Sequence, residues 1–463
     1  MKQGRLMIVM TLVITLLLAA CGDKPATANT TAQTPKTDAA TNQKTTAETE
    51  KSDGNGDVSG TVVFWTWSTE ATDPYRKQAD MIEAKIPGSE IKIEYMGYDD
   101  MWTKLPVAIA ARTGPDFYQM TRPYFDLFAA SGNALALDDM IAASEKLQDN
   151  LSMMLDKPID TYKYNGQQMA LPYTVESAAI AYNKDAFAKA GLDEPKTVED
   201  SWTWDDLYEM AKKLTIKDEK GEVSQYGFLV DASRLPVWEL IWSHGGELFN
   251  EEMTETLIGS DVAIEALEPY IAMYTEYGVS PSTEALSSMS GDDMFMSGRI
   301  AMVGAGIWKV TTYNQITGFE WDCAELPFDP ETGKRLSSSN VLGYVVSPSS
   351  ENLELMGRVL EELTSAELQA VLADEGLYIP ANTTVQDRYF TMEKPANVGA
   401  YQRALSYTHP NTLSPYIPYG EFTRGFGDGI RDALAGTKTV ADALRQRQDE
   451  LNEIMRENKA NFD

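Results

Sequence analysis

The 463-residue chain sets 39 Lys and Arg against 70 Asp and Glu, a formal net charge of −31, which repels phosphate backbones and argues against any nucleic acid partner. Hydrophobic content of 43% and aromatic content of 10% exclude a disordered chain, and the length exceeds what one core can fill, so two or more lobes are expected. Only His244 and His409 could supply imidazole, the two cysteines are Cys21 and Cys323, and neither metal-ligand spacing nor a nucleotide-binding glycine loop occurs, so no metal and no cofactor is expected.

In chain order, Lys2 and Arg5 precede an apolar stretch from Leu6 to Leu18, broken only by Thr11 and Thr15. It is too short for a stable spanning helix and reads as an export signal over residues 1–20. Leu18-Ala19-Ala20-Cys21 resembles the bacterial lipobox, which implies lipidation of Cys21 and a protein held on the outer face of a membrane by its lipid. Residues 21–59 are rich in Thr, Ala, Asn and Lys and are expected to form a disordered tether. With Cys21 lipidated, Cys323 has no disulfide partner and reads as a small buried residue.

The body opens at Thr61-Val-Val-Phe-Trp-Thr-Trp67, a continuous apolar run that suits a strand covered on both faces. A helix is expected around Tyr75–Ile86, then a strand in which Ile91, Ile93 and Tyr95 alternate with Lys92 and Glu94. Thr203-Trp-Asp-Asp206 reads as a capping box, followed by Leu207, Met210, Ala211 and Leu214 at helical spacing. Ser350 precedes a second such face at Leu353, Met356, Leu360 and Leu363, and Thr439–Asp442 opens a last helix with Val440, Leu444, Leu451 and Met455. Short strands at Ile300–Val303 and Tyr344–Val346 fall between helices. The fold class is therefore α/β.

Leu171-Pro-Tyr-Thr-Val-Glu-Ser-Ala-Ala-Ile-Ala-Tyr-Asn-Lys-Asp185 closely resembles family 1 of the extracellular solute-binding proteins, the maltose-binding-protein-like group that serves ABC importers. Gly114-Pro-Asp116, Trp238 to Gly246, Phe295-Met-Ser-Gly298 with Gly306-Ile-Trp308, and Asp374 to Ala381 fit the same family in order. The resemblance implies a two-lobed periplasmic-binding-protein-like fold of type II, with a hinge. Lobe 1 is expected from 60–175 plus 347–412, and lobe 2 from 176–346 plus 413–463, with crossings near Val175–Ala178, Val345–Ser349 and Leu413. It further implies a monomer that captures a carbohydrate and hands it to membrane permease subunits, without catalysis. Two other readings stay open: the same scaffold binding a non-sugar solute, and a surface carbohydrate-active enzyme.

A sugar site needs flat apolar surfaces and oriented hydrogen-bonding groups. Trp308 stands where the family carries a stacking Trp, and Glu176 where maltose-binding protein has a ligand-contacting Glu. Trp67 and Glu70 follow the first strand, at the edge where parallel strands form sites. Asp116, Arg122, Tyr173, Arg234, Trp238, Tyr344 and Tyr416 complete the expected ligand-binding set, with Trp242 and Tyr419 beside it. Thr423 and Met120 stand where maltose-binding protein has Trp, which counts against maltodextrin itself.

Overall fold

The structure, a computed structural model, describes residues 58–67, 74–197, 201–232 and 234–462. The export signal, Cys21, the tether up to residue 57 and Glu70 lie outside these residues.

The chain order begins β1 (Gly60–Thr66), α1 (Pro74–Lys85), β2 (Ser89–Tyr95), α2 (Tyr98–Ala110), β3 (Phe117–Thr121) and α3 (Arg122–Ala130). After three short helices come β4 (Leu171–Glu176) and β5 (Ala178–Asn183), then the main helices α4 (Trp204–Leu214) and α5 (Arg234–Ser243). The rest runs β6 (Met302–Gly306), β7 (Trp321–Ala324), β8 (Ser337–Val346), α6 (Leu353–Leu363), α7 (Ala366–Asp374), β9 (Ile379–Pro380), β10 (Thr408–Pro410), α8 (Tyr419–Leu434) and α9 (Val440–Phe462).

Two sheets define two lobes. The larger has strand order β9-β4-β8-β3-β1-β2 with β10 beside β8, and the smaller is β6-β5-β7. β1 runs parallel to β2 and β3, whereas β8 runs antiparallel to β3 and β4. Side chains alternate across β1 as a strand requires. Val62 and Phe64 enter the core under α1, α6 and α7. Trp65 enters the opposite core under α2 and α3. The second lobe is mostly helical, its core built from α4, α5, α8 and α9 around the buried Trp202, Trp204, Leu207 and Phe422.

Local signals explain the helix ends. Thr203 Oγ1 accepts from the Asp206 amide at 3.2 Å while Asp206 Oδ2 accepts from the Thr203 amide at 2.8 Å, so the capping box forms. Thr439 caps α9 through the Asp442 amide at 3.0 Å. α6 differs: its cap is Asn352, which accepts from the Leu355 amide at 3.3 Å. Ser350 instead donates to Asp116 Oδ1 at 2.6 Å, and Leu353 is exposed rather than packed. Cys323 is buried, its thiol donating to the Asn397 carbonyl at 3.1 Å.

The expected lobe boundaries need correction at two places. Val345 and Val346 register with Tyr118 and Phe117 in the middle of the first sheet, so the second crossing lies at the start of β8, near residues 337–340, and not at Val345–Ser349. Asn397 bonds to Asp322 and Cys323, and Ser177 Oγ donates to the Tyr401 carbonyl at 2.8 Å. Residues 397–404 therefore pack on the second sheet although they were expected in the first lobe. β4 and β5 are separated by Ser177 alone, which is the first crossing.

Candidate functional site

The parallel strands β1 and β3 place their C-terminal ends on one edge of the first lobe, the edge at which such sheets form sites. Along this edge Thr66 Oγ1 donates to Gln119 Oε1 at 2.5 Å, and Gln119 Nε2 donates to the Tyr173 and Tyr75 hydroxyls at 2.6 and 3.2 Å. Tyr173 is fully buried and stacks on Tyr344 at 4.2 Å between ring centroids. Burial is the main cause that pushes the Tyr75, Tyr173 and Tyr344 hydroxyls far above their ordinary titration range. Tyr173 and Tyr344, expected to touch ligand, are therefore core residues of the first lobe. Tyr173→Phe should lower unfolding free energy by about 1–2 kcal/mol, because Gln119 loses its acceptor, and leave ligand affinity unchanged; urea unfolding and a titration check both halves.

Asp116 is also structural. Its Oδ2 accepts from the Val63 amide at 2.8 Å and its Oδ1 from Ser350, which locks the turn into β3. Arg122 is buried at the start of α3, where Nη1 donates to Asp126 Oδ2 at 2.7 Å. Tyr416 packs on the second-lobe core, its ring 5.8 Å from Lys459 Nζ and its carbonyl accepting from Asn458 Nδ2 at 2.9 Å. It belongs to the joint with α9. The side chain of Arg234 lies outside the described residues.

Glu176 sits at the first crossing and is 4% exposed. Its Oε2 accepts from Asn340 Nδ2 at 2.6 Å, and Asn340 Oδ1 accepts from Thr121 Oγ1 at 2.9 Å and the Arg122 amide at 3.3 Å. One carboxylate thus fastens the ends of β4, β8 and β3 together. Asn340→Ala should cost about 1–3 kcal/mol in unfolding free energy, the scale of buried polar groups that lose partners; a change below a few tenths of a kcal/mol would remove this fastening role. On the opposite strand face, Val175 and Val341 floor a groove of about 730 Å³ whose walls include Pro158 and Leu405.

The aromatic groups do converge. Trp67 follows β1 and meets Tyr98 and Trp102 of α2 at 5.3 and 5.5 Å. Trp102 stacks on Tyr124 of α3 at 4.0 Å with 11° between ring planes. Tyr124 meets Tyr419 at the start of α8 at 5.0 Å, and Tyr419 meets Trp238 of α5 at 6.4 Å. Five contacts therefore carry an aromatic run from the first lobe into the second. Within it the buried Trp102 Nε1 has no hydrogen-bond partner among the described residues, and burial raises the Tyr124 hydroxyl above its ordinary range, with Tyr419 and Asp99 adding to the effect. A cavity of about 160 Å³ lies beside Tyr419, between α5 and α8.

Trp308 bridges differently. It is half-buried and packs against the core under α1 and against the core shared by β5 and β7. A methyl group built on Gly306 would lie 2.1 Å from the Trp308 ring, so the indole rests on the glycine backbone. The spacing Gly-x-Trp is a packing requirement.

Trp67 and Trp308 are half-buried, whereas Trp238, also expected to touch ligand, is 2% exposed and packs in the second-lobe core. Tyr98, Trp102 and Tyr124 were missed. Tyr98 and Trp102 are four residues apart on the helix after β2, a spacing that puts both on one face, and this signal was available.

The chain matches the family of bacterial extracellular solute-binding proteins over residues 66–370. A putative binding protein of Brucella abortus is 25% identical over 317 residues, covering 67% of this chain and 73% of the relative. The diacetylchitobiose binding protein DasA of Streptomyces coelicolor is 22% identical over 423 residues, covering 87% and 92%. Among solved structures, an ABC substrate-binding protein of Listeria monocytogenes in complex with cycloalternan superposes with a TM-score of 0.76 at 25% identity, covering 85% of this chain and 98% of that one. A match of the family model across residues 66–370, most of the folded body, makes this chain a member of the bacterial extracellular solute-binding protein family.

Proposed function

We propose that the protein captures a carbohydrate between its lobes and delivers it to the permease subunits of an ABC importer, acting as a monomer held outside the cell membrane by a lipid on Cys21. The aromatic run from Trp67 to Trp238 carries this reading. Rigid rings offer apolar faces to sugar C–H groups at low entropic cost, and their position at the junction lets closure sandwich a ligand. Relatives named for a maltotriose, a diacetylchitobiose and a galactooligosaccharide support it. So does the charge of −31, which favours neutral solutes over anions. No catalytic step is assigned.

The test is a thermal-shift screen of residues 58–463 against neutral saccharides, since a ligand specific for the native state stabilises it by RT ln(1+[L]/Kd). At least one saccharide should raise the melting temperature and be recovered chemically unchanged. A flat response to every saccharide, or turnover lost in a carboxylate variant, contradicts the reading. For the anchor, Cys21→Ser should shift the protein from the membrane fraction to the soluble one. Equal membrane retention of the variant and the parent would refute lipidation at this residue.

A further inference from the structure

The cavity between α5 and α8 differs in chemistry from the aromatic run that it adjoins. Val237, Trp238, Phe426 and Ile430 make its walls apolar. It exists because two positions on one face of α8, Thr423 and Gly427, carry small side chains or none. Its volume of about 160 Å³ is comparable to an engineered apolar cavity of about 150 Å³ that holds benzene. Its polar groups are mixed: a methyl built on Gly427 would lie 3.1 Å from the Arg431 guanidinium, a donor. The same methyl would lie 3.5 Å from the Ala232 carbonyl oxygen, which places that oxygen on the wall. Thr423 Oγ1 already donates to the Tyr419 carbonyl at 2.9 Å, so its lone pairs face any further partner. Tyr419 and Thr423 are half-buried, and the Tyr419 ring reaches Tyr124 of the first lobe, so the mouth lies at the lobe junction.

A bare hydroxyl would leave the apolar walls without contact. A compact amide with a methyl end would fill them while its polar atoms meet the Ala232 carbonyl and the Arg431 guanidinium. We propose that the pocket takes the acetamido group of a 2-acetamido-2-deoxy sugar, and that Thr423 and Gly427 set this preference. The methyl fills the apolar end, the N–H donates to Ala232 or Thr423, and the carbonyl accepts from Arg431. The assignment rests on the carbohydrate reading above and narrows it.

The experiment compares N,N′-diacetylchitobiose with cellobiose, which differs by hydroxyls in place of the acetamido groups, by calorimetric titration of residues 58–463. The acetylated sugar should bind at least tenfold more tightly. Gly427→Leu, which fills the space and suits a helix better than glycine, should bring its affinity to that of cellobiose. Thr423→Leu should act in the same direction, and melting temperatures of both variants show whether the fold is kept. Equal binding of the two sugars, tighter binding of cellobiose, or a preference that survives in folded Gly427→Leu and Thr423→Leu overturns the assignment. If neither disaccharide binds but other saccharides do, the acetamido assignment alone falls. If no saccharide binds, the carbohydrate reading falls with it.

Discussion

Glu325→Gln should lower the unfolding free energy by about 3–5 kcal/mol, the cost of leaving a buried cation without its counter-charge. Glu325 follows β7 and is 4% exposed. It accepts from Arg335 Nη1 at 3.0 Å, from Arg403 Nε at 2.7 Å and from the Tyr407 hydroxyl. Arg403 can turn to water, because its side chain is 43% exposed, but that of Arg335 is 6% exposed and lies over the Phe328 ring at 3.9 Å. The variant therefore removes the counter-charge that Glu325 gives to Arg335, and it also loosens the contacts of Arg403 and Tyr407. Urea unfolding measures the loss. A double variant, Glu325→Gln with Arg335→Met, should recover part of it, since removing both charges avoids the uncompensated one. A loss below about 1 kcal/mol would place this cluster with ordinary surface pairs.

The same residue predicts an acid response. Burial pushes the Glu325 carboxyl up, but hydrogen bonds from Tyr407 and Arg403 and the charge of Arg335 outweigh it and hold the carboxyl below its ordinary range. A group with a lowered folded-state pKa contributes stability above its unfolded value, near pH 4.3, and that contribution fades as pH falls through the folded value. Glu362, held low against burial by Lys146 and Lys85, adds to the same slope. Stability of the parent should fall as pH drops below about 4.5, and more shallowly in Glu325→Gln.

The second large effect concerns ligand affinity. Trp308→Ala should weaken saccharide binding by about 2 kcal/mol or more, roughly 30-fold, as expected for an aromatic anchor at the centre of an interface. Gly306→Ala should act in the same direction without removing the ring, because its new methyl would stand 2.1 Å from the indole and must displace it. A titration of each variant, with its melting temperature, separates site from core. If Trp308→Ala binds as the parent does, Trp308 only packs the two cores together. If Gly306→Ala alone keeps parental affinity, the position of the ring is unimportant.

Periodic elements were legible in the residues. The apolar run at Thr61–Thr66, the capping box at Thr203 and the helical face at Leu444, Leu451 and Met455 each became the expected element, because local propensity and tertiary burial agree there. The crossings were placed less well. In Ser337–Val346 the polar Ser337–Asn340 precede the apolar run from Val341, so a change of composition does mark the second crossing, although the expected position was later in the same strand. Tyr173 and Tyr344 show a limit: an aromatic beside a hinge reads the same whether it faces ligand or core. Their burial depends on the stacking of β4 on β8, a contact between residues far apart in sequence. Thr423 was legible as a departure from an aromatic pattern, but neither it nor Gly427 was legible as the cause of a pocket, since part of the wall comes from α5.

The central claim is that the two lobes close on a bound saccharide. Small-angle scattering of residues 58–463, with and without a saturating amount of the saccharide that raises the melting temperature most, tests it directly. The account predicts a smaller radius of gyration with ligand, because closure of hinged lobes removes the gap between them. An unchanged radius at proven saturation would contradict it.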